Sequence, residues 1–348
     1  MERYDIPVFF KENRVFRVYL GGKKIGEFTG RNMDEKDDFY PEEWIASDVQ
    51  ALNAGERPPH EGISVTEDGT LFTDLLAAHP QEMLGGRKSL GVLVKYLDSA
   101  IRLPMQVHPT RAFSREHFGS PYGKAESWVI LDTRPDACIY FAFRDGVTAD
   151  DLRRAVHENM ENPGSFLPLV NRVPVKAGDV FFVPAGMIHA IGAGCMILES
   201  QEPTDFTIQP EVHCGDYILS KQEMYLTLDE DTALSCFDLS YHGQYGLSKG
   251  RVEPKLIRSE NGVTVECLIG DEQTDCFSVT RYRLTGGSVL LDKRVSVCTV
   301  TDGEATLSGP GYSRKVKKGE YFFLPEAARE ISMQGTAELI VAAGGAAV

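Results

Sequence analysis

The stretch Lys176-Ala177-Gly178-Asp179-Val180-Phe181-Phe182-Val183-Pro184 recurs as Lys317-Lys318-Gly319-Glu320-Tyr321-Phe322-Phe323-Leu324-Pro325. Each copy reads as a turn glycine, an acidic residue, a short apolar strand and a proline turn. The same offset carries Gly186 onto Ala327 and His189 onto Glu330. Such a repeat constrains the fold strongly, because two copies of one strand-and-turn unit imply two small β-barrels built on one plan. The second copy has lost the histidine, so any chemistry of His189 belongs to the first.

Hydrophobic periodicity along the rest of the chain agrees with a β protein carrying few helices. Residues 15–20 and 24–28 around Gly21-Gly22 predict a hairpin. Residues 42–47 and 138–143 predict strands, and the dense apolar run 90–97 predicts a strand buried on both faces. Helices are expected over 71–78, with Thr70 as cap and His79-Pro80 as stop, and over 148–160. The segment 216–226 also has helical character. From Val252 onwards, strands recur at the spacing of a sandwich or barrel. The net charge of -15 excludes non-specific nucleic-acid binding, which needs Lys and Arg to neutralise phosphates. The opening residues Met1-Glu2-Arg3-Tyr4-Asp5 carry both signs of charge, and no apolar run is long enough to span a membrane. Seven cysteines without a CxxC pair read as mostly buried thiols in a reducing compartment, so a cytoplasmic protein is expected.

Chemistry concentrates in Pro104-Met105-Gln106-Val107-His108-Pro109. On a strand, Gln106 and His108 share a face, and an amide oxygen beside a neutral imidazole is half a site for a borderline divalent ion. Glu126 and His189 could complete it, with Pro184 and Gly186 shaping the turn that aims His189.

Residues 178–189 fit the second cupin motif. More specifically, Gln106-Val107-His108-Pro109, Lys124-Ala125-Glu126 and His189-Ala190-Ile191-Gly192, followed by Ile197-Leu198-Glu199-Ser200, resemble type I mannose-6-phosphate isomerases, above all the short bacterial members. The resemblance implies a mainly β fold of two cupin (jelly-roll) β-barrels with a small number of helices. The metal-binding domain would span 1–250 and a degenerate C-terminal cupin 251–348. It implies one zinc ion per chain held by Gln106, His108, Glu126 and His189, a ligand set that would also accept manganese, iron, cobalt or nickel.

It further implies catalytic roles for Lys124 and Glu199. Lys124 is expected at a loop–strand junction, facing away from Glu126 unless a bulge or turn intervenes; its alternative reading is a surface lysine. Glu199 is an acid/base or an orienter of a ligand, and its alternative is a strand glutamate paired with a cation. Trp44, with Glu43, falls where the family has an aromatic near the pocket mouth, although packing is the simpler role. Gln209 stands where the family usually has an arginine for catalysis or phosphate, and Pro104 where it usually has a serine. Glutamine offers neither charge nor fork, and proline donates no hydrogen bond. Arg102, Arg111 and Lys88 are candidate replacements. Three readings follow: a zinc isomerase interconverting mannose 6-phosphate and fructose 6-phosphate, an isomerase of another sugar, phosphorylated or free, or a non-catalytic metal-bearing sugar-binding cupin. The partner is a small sugar or sugar phosphate in each case, with no nucleic acid and no membrane.

Overall fold

Three larger antiparallel sheets and a two-stranded ribbon, His213–Cys214 with Tyr217–Ile218, organise the protein, whose structure is a computed structural model describing residues 4–31 and 36–345. The charged opening Met1-Glu2-Arg3 and part of the polar stretch after Arg31 lie outside the described residues. A six-stranded sheet runs in the order Arg14–Val15, Glu42–Ile45, Leu93–Ser99, Cys195–Gln201, Glu126–Thr133, Val180–Val183. A three-stranded sheet joins Val170–Pro174, Cys138–Phe143 and His189–Ile191. An eight-stranded sheet occupies the C-terminal part, from Lys255–Glu260 to Ser332–Gly344. Its far edge is the N-terminal strand Val8–Phe9, paired with Tyr321–Leu324, so the start of the chain completes the sheet built by its end.

Side-chain alternation on the six-stranded sheet explains both the core and the site. Leu97, Trp128, Ile130 and Ile197 point to one face and pack with Ile139, Phe141 and Ala190 of the three-stranded sheet. Val94, Tyr96, Val129, Met196 and Leu198 point to the other and pack with Phe277, Val279, Phe323 and Ile340 of the eight-stranded sheet. Burial on both faces is why Leu93–Ser99 and Cys195–Gln201 are buried along their whole lengths. Each large apolar side chain buried this way contributes about 1.5–3 kcal/mol. The polar exceptions on the first face, Lys95, Glu126 and Glu199, therefore need compensating partners.

The sequence repeat is a repeat of structure. Gly178 and Gly319 take φ of 91° and 88°, a left-handed conformation that favours glycine. Asp179 N–H donates to Lys176 O and Glu320 N–H to Lys317 O, both turns closed further by the acidic side chain on the lysine N–H. Both glycines then donate to a neighbouring strand, at Ile130 and Val300, ahead of the buried strands Val180–Val183 and Tyr321–Leu324. His189 is buried, whereas Glu330 at the same offset is exposed.

Local expectations fail where a distant group intervenes. Residues 24–28 are no strand: Lys23–Thr29 is a helix. The Asp98 carboxylate accepts the Gly22 and Lys24 N–H groups, both at 2.9 Å, and so caps that helix from across the fold. A Cβ at Gly21 would lie 1.8 Å from Asp98 O, so only glycine admits this approach. The helix at 71–78 is Phe72–Ala78, but Thr70 is engaged with Thr66 in a turn and does not cap it. His79-Pro80 ends it and starts a second helix, Pro80–Leu84, since proline fits a first helical turn. The helical part of 216–226 shrinks to Lys221–Tyr225, and the excursion after Pro109 is a helix, Arg111–Phe118, capped by Thr110. The cysteines are free, five of them buried. Among the described residues, no helix is long and apolar enough to cross a membrane.

Asp48, just beyond the strand Glu42–Ile45, is held up at about 6 by burial, against a backbone N–H from Leu90. Its Oδ1 has no hydrogen-bond partner. A carboxyl with a folded pKa above its unfolded value binds extra protons when folded, so its stabilising contribution is lost as pH rises through the folded value. Stability is therefore expected to decline between about pH 4 and pH 6 from this group. Asp48→Asn should raise stability at pH 8 by about 1–2 kcal/mol and leave it little changed at pH 4. Urea midpoints at the two pH values check this.

Candidate functional site

His108, Glu126 and His189 meet in the interior, where each is about 1% exposed or less. Glu126 begins its strand on the face that carries Trp128 and Ile130. His189 opens the short strand after the Pro184 turn, and His108 reaches the site from an extended segment. That segment belongs to none of the three sheets. Gln106 and His189 exchange backbone hydrogen bonds of 2.9 and 3.0 Å, and Val107 pairs with Ile208. The ring nitrogens His108 Nε2 and His189 Nε2 stand 3.1 and 3.2 Å from the two Glu126 oxygens and 3.2 Å from each other.

The proton positions decide what this cluster can bind. His108 Nδ1 lies 3.0 Å from Phe206 O and His189 Nδ1 lies 2.9 Å from Met187 O. A carbonyl can only accept, so both Nδ1 atoms carry the protons of the neutral rings and both Nε2 atoms present lone pairs. Burial, with Lys124 adding to it, pulls His108 down to about 3, which keeps the ring neutral. Burial opposes the Glu126 charge, but the positive neighbour Lys124, 3.4 Å from Oε2, acts to hold its carboxyl well below the usual range. Both Glu126 oxygens are buried without a hydrogen-bond donor. Two imidazole lone pairs and a carboxylate converge here, all within 4.8 Å of one another, with Lys124 at the edge of the group on the His108 side. The group fits a divalent ion, with the imidazoles oriented by backbone carbonyls as metal-bound histidines usually are.

A cavity of about 330 Å3 adjoins the cluster, and Gln106 and Lys124 line it. Lys124 Nζ lies 2.9 Å from His108 Nε2 and 3.4 Å from Glu126 Oε2. The expectation that Lys124 faces away from Glu126 is therefore corrected: in extended backbone, residues two apart share a face, and Lys124 sits just before the strand that Glu126 opens. Burial, with Lys95 adding to it, lowers its affinity for a proton, while Glu126 acts in the opposite sense. It is no surface lysine, being 5% exposed.

Glu199 also lines the cavity and stands between Lys95 and Trp128 in cross-strand register. Trp128 Nε1 donates to its Oε1 at 3.1 Å, and Lys95 Nζ lies 3.4 Å from Oε2. Burial, then the Glu126 charge, pushes Glu199 up to about 7.

Gln209 and Pro104 both line the cavity, and Gln209 Nε2 is spent on Glu223 O at 3.0 Å. Trp44 does not line it. The indole is fully buried behind the wall and donates to Glu42 Oε2 at 2.7 Å, so its contact is with a wall carboxylate and not with the cavity. Glu43 is likewise buried, against Arg31 and Tyr321. Arg102 and Arg111 are committed to Glu211 and Glu202, each at 2.6 Å, and Lys88 is exposed elsewhere.

Sequence reasoning missed the wall charges Arg17, Glu42, Lys95 and Asp205. Glu42 is the hub: Tyr19 OH donates to it at 2.7 Å, Arg17 Nε lies at 3.1 Å and Lys95 Nζ at 3.6 Å. Against burial, Arg17 and Lys95 keep its carboxyl far below the usual range. A lone lysine inside the apolar run 90–97 was the available signal for Lys95. Nothing local marked Arg17.

The fold and the site together define a mainly β cupin with a buried His-Glu-His group at a polar cavity. Residues 271–343 match the family model described as mannose-6-phosphate isomerase, cupin domain. The chain is 29% identical over 341 residues to mannose-6-phosphate isomerase ManA of Bacillus subtilis, covering 96% of this chain and 98% of that one. It is 37% identical over 151 residues, 42% of this chain and 46% of the other, to mannose-6-phosphate isomerase of Streptococcus mutans. The crystal structure of the Bacillus subtilis mannose 6-phosphate isomerase superposes with a TM-score of 0.77 at 23% identity, covering 97% of this chain and 99% of that one. A mannose 6-phosphate isomerase crystallised with zinc and yttrium superposes at 0.71 and 15% identity, covering 98% and 100%. Over nearly its whole length the chain is thus similar to mannose-6-phosphate isomerases, and with the cupin-domain match these relatives support its reading as a type I cupin isomerase.

Proposed function

We propose that this isomerase acts on a sugar phosphate, interconverting mannose 6-phosphate and fructose 6-phosphate with one zinc ion per chain held by Gln106, His108, Glu126 and His189. The observation that carries this reading is the buried Glu126 carboxylate, without a hydrogen-bond donor, on which two histidine Nε2 atoms converge beside a cavity lined by Lys124 and Glu199. The names of the full-length relatives supply the substrate class.

Moving a carbonyl between C1 and C2 requires a proton to leave carbon next to a carbonyl and return to its neighbour. A bound divalent ion would supply the Lewis acidity that makes this carbon acid strong enough. Glu199, poised near neutrality and fixed by Trp128 and Lys95, is suited to take the proton from one carbon and deliver it to the next. Lys124, whose burial lowers its affinity for a proton, is suited to donate to and accept from the adjoining oxygen. Gln106 carries an acceptor oxygen where it lines the cavity and is the fourth ligand in this reading.

Zinc-loaded protein should form fructose 6-phosphate from mannose 6-phosphate, lose that activity on chelation and regain it with added zinc. Bound zinc without turnover of the ester would reject the substrate assignment. Gln209 and Pro104 on the cavity wall favour a second reading, in which the same chemistry acts on an unphosphorylated sugar. Turnover of free mannose in preference to its ester would select it. The C-terminal residues 251–348 are read as the degenerate cupin of the pair.

A further inference from the structure

A sugar 6-phosphate carries its charge several bonds from the reacting carbons, so the cation that holds the phosphate must stand apart from the groups that serve the chemistry. Three cationic side chains line the cavity: Arg17, Lys95 and Lys124. Lys124 lies against His108 and Glu126, and Lys95 lies between Glu199 and Glu42, so both touch the groups that serve the chemistry or bridge to them. Arg17 is the one left.

It is also built for the task. Arg17 Nε lies 3.1 Å from Glu42 Oε1, Nη1 donates to Asn53 Oδ1 at 3.0 Å and Nη2 donates to Asp205 Oδ1 at 2.9 Å. Its guanidinium stands over the Trp44 indole, 5.1 Å from the ring centroid. The holding groups are themselves held. Asn53 Nδ2 donates to Glu61, and the Leu52 N–H donates to Asp205 Oδ2. The fork is thus fixed before any ligand arrives. Each Nη nitrogen carries two N–H groups and these partners take one apiece, so each retains an N–H group for a further acceptor such as a phosphate oxygen.

We propose that Arg17 holds the substrate's anionic end, a phosphate monoester, through the unspent N–H groups of its two Nη nitrogens. This rests on the reading of the chain as an isomerase of a sugar phosphate. It moves the phosphate grip from the position of Gln209, which has no charge to offer, to the N-terminal part of the chain, and explains how Pro104 and Gln209 are tolerated on the wall. Glu42 is then a positioning residue that acts through Arg17.

The test is calorimetric titration of metal-loaded wild type, Arg17→Gln and Arg17→Lys with mannitol 6-phosphate and with mannitol, polyols that cannot isomerise. Wild type should prefer the ester, and Arg17→Gln should weaken ester binding by about 10- to 100-fold while leaving mannitol unchanged. Arg17→Lys should fall between, because it keeps the charge and loses the fork. It also serves if the glutamine variant does not fold, which thermal melting would reveal. Retention of ester preference in the variants, or no preference in wild type, would overturn the assignment. Turnover of mannose 6-phosphate is measured separately. Its absence alongside an Arg17-dependent ester preference would reject the earlier substrate reading and leave the phosphate grip standing.

Discussion

Replacing His108 with alanine is expected to empty the metal centre and lower turnover by at least about 1,000-fold. The site offers two imidazole nitrogens and one carboxylate at 3.1–3.2 Å from one another, and none of the three can be spared without leaving the ion under-coordinated. A Lewis acid in such a reaction supplies several kcal/mol, and each 1.36 kcal/mol is a factor of about ten in rate. The fold should survive, because His108 lies outside the three sheets and its backbone contacts do not depend on the imidazole. Metal analysis of the purified variant and its turnover of mannose 6-phosphate provide the check, and full zinc occupancy in an inactive variant would contradict the ligand assignment. Chelation of the wild type should also lower its melting temperature, since an ion bound only by the folded state at 100 times its Kd stabilises by about 2.7 kcal/mol.

Glu199→Gln should lower kcat by about 100- to 10,000-fold, with a much smaller change in KM. The substitution keeps an oxygen for Trp128 Nε1 and the volume of the side chain, and removes the capacity to exchange a proton. Glu199 sits near 7 because burial, and next the Glu126 charge, oppose its ionisation, while Lys95 and Lys124 favour it. A base becomes competent as pH rises through its pKa, so kcat/KM should climb towards neutrality on the acid side. A divalent ion on Glu126 offsets the second of those causes, so in the loaded enzyme that limb should lie below pH 7. The pH–rate profiles of wild type and variant decide the role. If the residual activity of Glu199→Gln keeps the same acid limb, another group is the base.

Much of this was legible in the chain. The repeat at Lys176 and Lys317, with its turn glycines and its Phe-Phe pairs, announced a β fold built twice on one local plan. The spacing of Gln106 and His108, together with Glu126 and His189, brought forward residues of which the two histidines and the glutamate do meet. These features are legible because turns, strand periodicity and proline corners are set by neighbours in sequence, where sterics and hydrogen bonding act within a few residues. The cavity wall was not legible. Arg17, Glu42, Lys95 and Asp205 lie far apart along the chain; cross-strand register sets Trp44 opposite Lys95 and Lys95 opposite Glu199, and the irregular segments carrying Arg17 and Asp205 close the network. The helix Lys23–Thr29 was misread for the same reason, since its N-terminus is satisfied by Asp98, a carboxylate that no local pattern connects to it. The sequence by itself determined a β protein with a His-Glu-His group. Only the tertiary structure decided which charges face the cavity and which are spent on each other, because a buried charge is governed by the partners that folding delivers to it.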